Sequence, residues 1–366
     1  MREYRNILVY AMVNLGDVIL TTSAIALLKK VYPQARITML SRPIVREVIE
    51  HNPVIDDVIL FDYKAKQNSI GKMWAMVQEL RRRKFDLAIS FDRKLRPALL
   101  CLLAGIPVRV GPSRVFDRKP SRVTWLYTHT VPMTHDLDET LQAETYQEII
   151  RGFTGVEGHE RPILPQPIEV QRAKAAALLS SAAGKRKIGL CVKGTFGLKT
   201  WPKEYFAEVV RALNLRYDAA FYVTGAPGDY AYAEDVISTI GLPVENLCGK
   251  TNLMELTAFY AQLDLLVSVD TGGAHIAAVT GVPLVVMFGC TSPRRWHPIS
   301  DHAKAFTSNE PCCPCSYGET ECPSYPQPNC LYHVKPAEII RASIEYLGAE
   351  DVRTMGMESR RLEQRI

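Results

Sequence analysis

Short apolar runs alternate with stretches in which apolar residues recur every three or four positions, and the alternation begins almost at the N-terminus. NILVY predicts a strand over 6–10. A loop carrying Asn14, Gly16 and Asp17 follows, and then a helix over 18–31 closed by Tyr32-Pro33. The pattern continues with a strand at 36–40, a helix near 45–50, a strand at 58–61, a helix over 70–83 and a strand at 86–91. Strands alternating with helices imply a parallel sheet covered on both faces. The rhythm breaks over 109–134, where Arg109, Arg114, Arg118, Lys119 and Arg122 stand among Pro112, Pro120 and Trp125, and the stretch reads as a basic loop region. A helix over 139–153 and the prolines at 162, 165 and 167 then mark a linker.

Beyond the linker the pattern restarts. A helix over 170–183, a strand at 187–192, a loop, a helix over 202–216 opened by proline and a strand at 220–225 repeat the opening order with unrelated residues. A helix near 230–240, a strand at 246–248 and a helix over 253–263 lead to LVSVDTGGAHIAAVTGVPLVVMFG at 266–289, which reads strand, short helix, strand. A last helix is predicted over 336–347. At 366 residues the chain is long for one core. The expectation is an α/β protein of two similar domains, 1–165 and 166–347, with a charged tail at 348–366 that is either helical or frayed.

With 47% hydrophobic and 23% charged residues the composition is that of an ordinary globular protein, which excludes disordered and fibrous classes. The net charge of +5 suits an acidic ligand or an anionic surface and falls short of a dedicated nucleic-acid binder, so no nucleic-acid partner is expected. The N-terminus lacks the layout of a signal peptide, which points to the cytoplasm. The longest apolar stretch, PALLCLLAGIPV at 97–108, is shorter than the roughly 20 residues of a membrane span. It reads as a buried helix and turn, with a peripheral membrane contact left open.

In open α/β sheets ligands sit at the C-terminal ends of the strands. Three loops of the second half qualify. Asp270-Thr271-Gly272-Gly273 sets a carboxylate, a hydroxyl and two glycines where a helix begins, a place that favours anions such as phosphate. KGTFGLKTW at 193–201 adds Thr195, Lys193 and Lys199, and GAPGD at 225–229 ends in Asp229, a carboxylate suited to a ribose. Together they describe a nucleotide-diphosphate pocket; singly, each also reads as turn glycines, a helix cap and solvated lysines. Neither GxGxxG nor GxxxxGK[ST] stands at a strand–helix junction, which weakens dehydrogenase and P-loop readings. Asp17 reads two ways, as the N-cap of the helix from Val18 or as a general base.

NLGDVILTTSAIALLKKVYPQARITML, KTWPKEYFAEVVRAL and SVDTGGAHIAAVTGVPLVVMFGCTSPRRWHP, in that order, resemble the bacterial heptosyltransferases of glycosyltransferase family 9. The resemblance implies a GT-B architecture, two Rossmann-like domains facing each other across a cleft, with the acceptor on the first and the nucleotide-sugar donor on the second. It implies inverting, metal-independent transfer of heptose from ADP-heptose to the lipopolysaccharide inner core, with no cofactor. Residue by residue, Asp17 matches the family's base and Lys199 the lysine facing the donor diphosphate. Thr195, Asp270, Thr271 and Gly272 match donor contacts, and Asp229 stands near an acidic ribose contact that is often Glu. Gly273-Ala274-His275 departs from the Leu-Ser-His of some members; His275 is either a phosphate contact or a structural histidine. The implied acceptor, a phosphorylated glycolipid at the inner face of the inner membrane, would meet Arg93, Arg114, Arg118, Lys119 and Arg122, and the enzyme would sit peripherally on that membrane.

Nine cysteines remain. Cys101, Cys191, Cys248 and Cys290 lie in apolar segments. The others crowd into 312–330, where Cys312, Cys315, Cys322 and Cys330 are a candidate set for a structural metal, although only one Cys-x-x-Cys is present. Competing functions are a GT-B transferase for another nucleotide sugar, a nucleotide-sugar epimerase, and a non-catalytic nucleotide-sugar-binding protein. The pairing of Asp17 with Lys199 argues against the last, since a binder needs no base.

Overall fold

A computed structural model describes residues 2–62, 70–92, 95–114, 123–195, 197–315, 322 and 330–348. The described chain forms two units. The N-terminal unit runs to Gln166 and takes in Arg294–Ile299; the C-terminal unit begins at Pro167 and holds the remainder.

The N-terminal unit contains β1 (Asn6–Tyr10), α1 (Leu15–Val31), β2 (Arg36–Ser41), α2 (Arg46–Ile49), β3 (Asp57–Leu60), α3 (Ile70–Arg83), β4 (Leu87–Ser90), α4 (Leu95–Leu103), β5 (Val108–Pro112), β6 (His129–Val131) and α5 (Gln142–Thr154). Its sheet is parallel throughout, in the order β3-β2-β1-β4-β5-β6. The central strands are apolar on both faces because helices cover both: Ile7, Leu8, Val9, Leu87 and Ile89 are at most 0% exposed. Helix α1 is buried almost all round. Its Thr21, Thr22 and Ser23 hydroxyls therefore donate to the carbonyls of Val18, Ile19 and Leu20 at 2.7, 2.6 and 2.6 Å.

The C-terminal unit contains α6 (Glu169–Leu178), β7 (Arg186–Cys191), α7 (Lys203–Arg216), β8 (Ala219–Val223), α8 (Tyr230–Ile240), β9 (Val244–Asn246), α9 (Leu253–Tyr260), β10 (Leu265–Val269), α10 (Gly272–Thr280), β11 (Leu284–Phe288), the single turn α11 (Pro293–Trp296) at its border, β12 (Ala303–Thr307) and α12 (Pro336–Leu347). The strand order is β12-β11-β10-β7-β8-β9, again all parallel. Read from β9 and renumbered within the unit, this is the 3-2-1-4-5-6 order of the first unit, the doubly wound arrangement of Rossmann folds. In each unit the order reverses between the first and fourth strands, β1 and β4 in one and β7 and β10 in the other. A ligand crevice opens at such a point because consecutive crossovers leave on opposite faces.

The basic stretch 109–134 departs from the loop expected of it. It contributes β5 and β6, because Val108 and Val110 point inward while the Arg109 side chain lies along the rim, donating to the carbonyls of Leu126 at 2.9 Å and Ile106 at 2.6 Å. Strand β12 is likewise absent from the hydrophobic pattern. Helix α1 begins at Leu15 rather than Val18, with Asn14 as N-cap, so Asp17 lies inside the first turn and is not the cap. The predicted helix over 170–183 ends at Leu178 and is followed by a 3-10 turn at Ser180–Ala182. The tail from 349 onward lies outside the described residues.

Candidate active site

In the N-terminal unit β1 delivers the chain through buried Ala11, Met12 and Val13 to α1, and the third residue of that helix is Asp17. An acidic group in the first turn is favoured by the positive end of the helix dipole. Asp17 is 7% exposed, and its Oδ1 accepts a hydrogen bond from the Tyr146 hydroxyl of α5 at 3.0 Å. The Tyr146 ring packs edge-on against Phe91, which leaves the end of β4, with centroids 5.5 Å apart. Burial and then the neighbouring Asp17 charge push the Tyr146 phenol well above its ordinary range. Tyr146 therefore stays protonated and donates. Charges of Arg295 and Asp92 also act on this phenol. Arg295 is buried, with Nε bonded to Gln142 Oε1 at 2.9 Å and Nη1 3.3 Å from Asp138. Neither Tyr146 nor Arg295 carries a local sequence signal; folding brings Tyr146 to Asp17 and Arg295 to the surroundings of Tyr146.

In the C-terminal unit the loops after β7 and β10 meet at the reversal point. Lys199 Nζ lies 2.6 Å from Asp270 Oδ2, and Thr291 donates to the same oxygen at 2.6 Å. With side chains 16% and 7% exposed, this pair is shielded from water, so its charges act strongly on anything bound beside them. Thr271, not Asp270, caps α10: its Oγ1 accepts from the Gly273 amide at 3.0 Å. That leaves Asp270 to hold Lys199. A Cβ at Gly273 would lie 3.2 Å from Cys191 Sγ and 3.3 Å from Tyr260 Oη, two atoms of a hydrogen-bonded cluster with Thr224 beneath the turn. Gly194 is tighter still, since a Cβ there would stand 2.3 Å from Lys199 Cβ and 2.5 Å from its carbonyl oxygen. The loop ends at Trp201, which is 0% exposed, donates to Val334 O at 3.0 Å and packs edge-on against Phe206. Lys199 is thus borne on a short turn anchored at both ends.

The other sequence-derived residues divide. Asp229 accepts from Ala226 N at 3.0 Å with one oxygen and pairs with Lys193 at 2.9 Å through the other. Lys193 also borders a cavity of about 520 Å3 lined by Gly194, Thr200, Trp201, Tyr232 and Tyr332. Thr195 is exposed in the same loop, and His275 is buried one turn into α10. Arg114 donates to the carbonyls of Met133 at 2.8 Å and His135 at 3.0 Å. Arg93, Arg118, Lys119 and Arg122 lie outside the described residues. In the cysteine cluster Cys313, which the candidate metal set omits, donates to Gly289 O at 2.7 Å, and the Cys315 amide donates to Cys290 O at 2.9 Å. Among the described residues no three His, Cys, Asp or Glu side chains are placed to hold a metal ion.

Two doubly wound units of identical strand order, each with charged groups at its reversal point, define the two-domain α/β fold of the GT-B glycosyltransferases. A solved glycosyltransferase of family 9 from Veillonella parvula superposes with a TM-score of 0.80 at 24% identity, covering 95% of this chain and 98% of that one. The Escherichia coli ADP-heptose lipopolysaccharide heptosyltransferase II structure gives 0.74 at 22% identity, with 93% and 98% covered. In sequence, lipopolysaccharide heptosyltransferase 2 of E. coli K12 is 24% identical over 310 residues, 79% of this chain and 84% of that protein. Residues 73–325 match glycosyltransferase family 9 (heptosyltransferase), and the chain belongs to that family.

Proposed function

We propose that the protein is an inverting heptosyltransferase that moves heptose from ADP-heptose to a phosphorylated glycolipid of the lipopolysaccharide inner core. The observation that carries the reading is the part-buried Lys199–Asp270 pair at the head of α10, a fixed cation beside a helix N-terminus at the reversal point of the sheet. Family membership and the E. coli relatives, whose names specify heptose transfer to lipopolysaccharide and an ADP-heptose donor, supply the substrates.

The chemistry follows from the side chains. Asp17, kept ionised by the Tyr146 hydrogen bond and the start of α1, accepts the proton of the acceptor hydroxyl as its oxygen attacks the anomeric carbon. The bond to the ADP diphosphate breaks on the opposite face, which inverts the configuration. Negative charge grows on the leaving diphosphate, and Lys199 with the positive end of α10 stabilises it, the kind of term that dominates such transfers. Asp270 and Thr291 keep Lys199 aimed. Incubating the enzyme with a defined core acceptor and either ADP-heptose or UDP-sugars tests the reading: heptosylated acceptor from ADP-heptose alone is expected. Sugar isomerisation without acceptor would instead identify an epimerase.

A further inference from the structure

Helix α3 has an apolar stripe that is covered only in part. Val77 and Leu80 are buried in a cluster with Leu100 and Cys101 of α4, yet Ile70 and Trp74, one turn apart, are 90% and 52% exposed. The Arg81 guanidinium reaches back over Trp74, 6.0 Å from the ring centroid, and its Nη2 donates to Leu103 O at 2.7 Å. That contact joins the exposed face of α3 to the end of α4, where Leu102 and Leu103 are 37% and 42% exposed. Two helices therefore share one apolar, aromatic strip with Arg81 over its indole, and Arg82 is exposed one position further along α3. Contiguous apolar surface of this kind on a globular domain marks an interaction site.

Charge specifies the partner. Helices α3 and α4 together hold five basic residues, Lys72, Arg81, Arg82, Arg83 and Arg96, and one acidic residue, a net of +4 in a chain whose total is +5. Glu79, the one acidic residue on α3, is already engaged by Arg82 at 2.9 Å and Arg83 at 2.6 Å. A Trp and long basic side chains around aliphatic residues suit a membrane–water interface: the indole sits at headgroup level, Leu and Ile enter the acyl boundary, and Arg and Lys extend to phosphate. No helix among the described residues is long and apolar enough to cross a membrane, and this strip would lie on one.

We infer that the α3–α4 face is the surface by which the enzyme docks on an anionic phospholipid bilayer. The choice of a bilayer rests on the glycolipid-acceptor reading above, since such an acceptor is embedded in one.

The test is co-sedimentation of the full chain with phosphatidylcholine vesicles and with vesicles that also contain phosphatidylglycerol. Binding to the anionic vesicles alone, weakened by salt, is expected. Ile70→Ser/Trp74→Ser should lower the partition coefficient about tenfold, and Arg81→Glu/Arg82→Glu should abolish the preference for anionic lipid. Both variants should keep the wild-type circular dichroism spectrum and wild-type turnover on a soluble, deacylated acceptor. Equal binding to both vesicle types, binding untouched by these variants, or stronger binding to duplex RNA than to anionic vesicles would overturn the inference. Failure of heptose transfer with vesicle binding intact would count against the catalytic reading and not against the surface; transfer to soluble acceptor without vesicle binding would do the reverse.

Discussion

The hydroxyl of Tyr146 donates to Oδ1 of Asp17 at 3.0 Å, joining the last helix of the N-terminal unit to the first across 129 residues of sequence. Because Tyr146 remains protonated over any practical assay range, the bond favours the carboxylate form of Asp17. Tyr146→Phe removes that support, so the Asp17 pKa rises and the acidic limb of the kcat/KM profile moves to higher pH. Turnover at neutral pH should fall about tenfold, the cost of one hydrogen bond to a charged group. An acidic limb that stays in place would separate the two residues.

Asp17→Asn should remove sugar transfer while leaving donor affinity intact, because in the proposed mechanism the carboxylate works on the acceptor hydroxyl. Calorimetric titration with ADP beside a turnover assay distinguishes the two effects. Near wild-type turnover would exclude Asp17 as the base.

Lys199 and Asp270 should behave as a unit. Lys199→Met leaves Asp270 without its cation in a shielded site and should destabilise the fold by about 3 kcal/mol. Lys199→Met/Asp270→Asn should recover much of that stability but none of the activity, since in the proposed mechanism kcat depends on the cation facing the diphosphate, at a loss of roughly a hundredfold. Denaturant titration and kinetics of the three proteins check both halves.

Gly194→Ala should disturb the same site through its backbone. The added methyl collides with Lys199 main chain, whereas a Cβ at Gly197 meets nothing within 4 Å. The first substitution should raise the donor KM and lower kcat together, and Gly197→Ala should change neither.

The thiols should separate by reactivity. The hydrogen bond from Cys330 holds Cys313 down at about 7, while burial pushes Cys101 and Cys248 up to about 12. As pH rises through about 7, iodoacetamide should alkylate Cys313 first, with Cys101 and Cys248 unmodified in the folded protein. Peptide mass spectrometry reads the order.

The hydrophobic pattern marks out elements that are buried on both faces or strongly periodic, such as β1, α3, β10 and α12, because their environment dictates every position. It passes over β6 and β12, edge strands with half-exposed side chains, and β5, where Arg, Gly and Pro interrupt the apolar run. The loops after β7 and β10 are legible because glycines, a carboxylate and a lysine crowd at strand ends. What each group touches is not: Lys199 and Asp270 stand 71 positions apart, and the cap of α10 falls on Thr271 because its hydroxyl, one residue nearer the helix, reaches the Gly273 amide. Tyr146 is silent in sequence, one more aromatic on an amphipathic helix.

The N-terminal unit is discontinuous, closed by Arg294–Ile299, whose Arg295 seats on Gln142 and Asp138. On the ribosome, where domains ordinarily mature in the order they emerge, this one cannot be finished until almost 300 residues have been made and nearly the whole second sheet has left the exit tunnel. An expression clone ending at the linker would yield a fragment with the seat of Arg295 empty. The unit that is translated first is thus completed only after five of the six strands of the second sheet have been made.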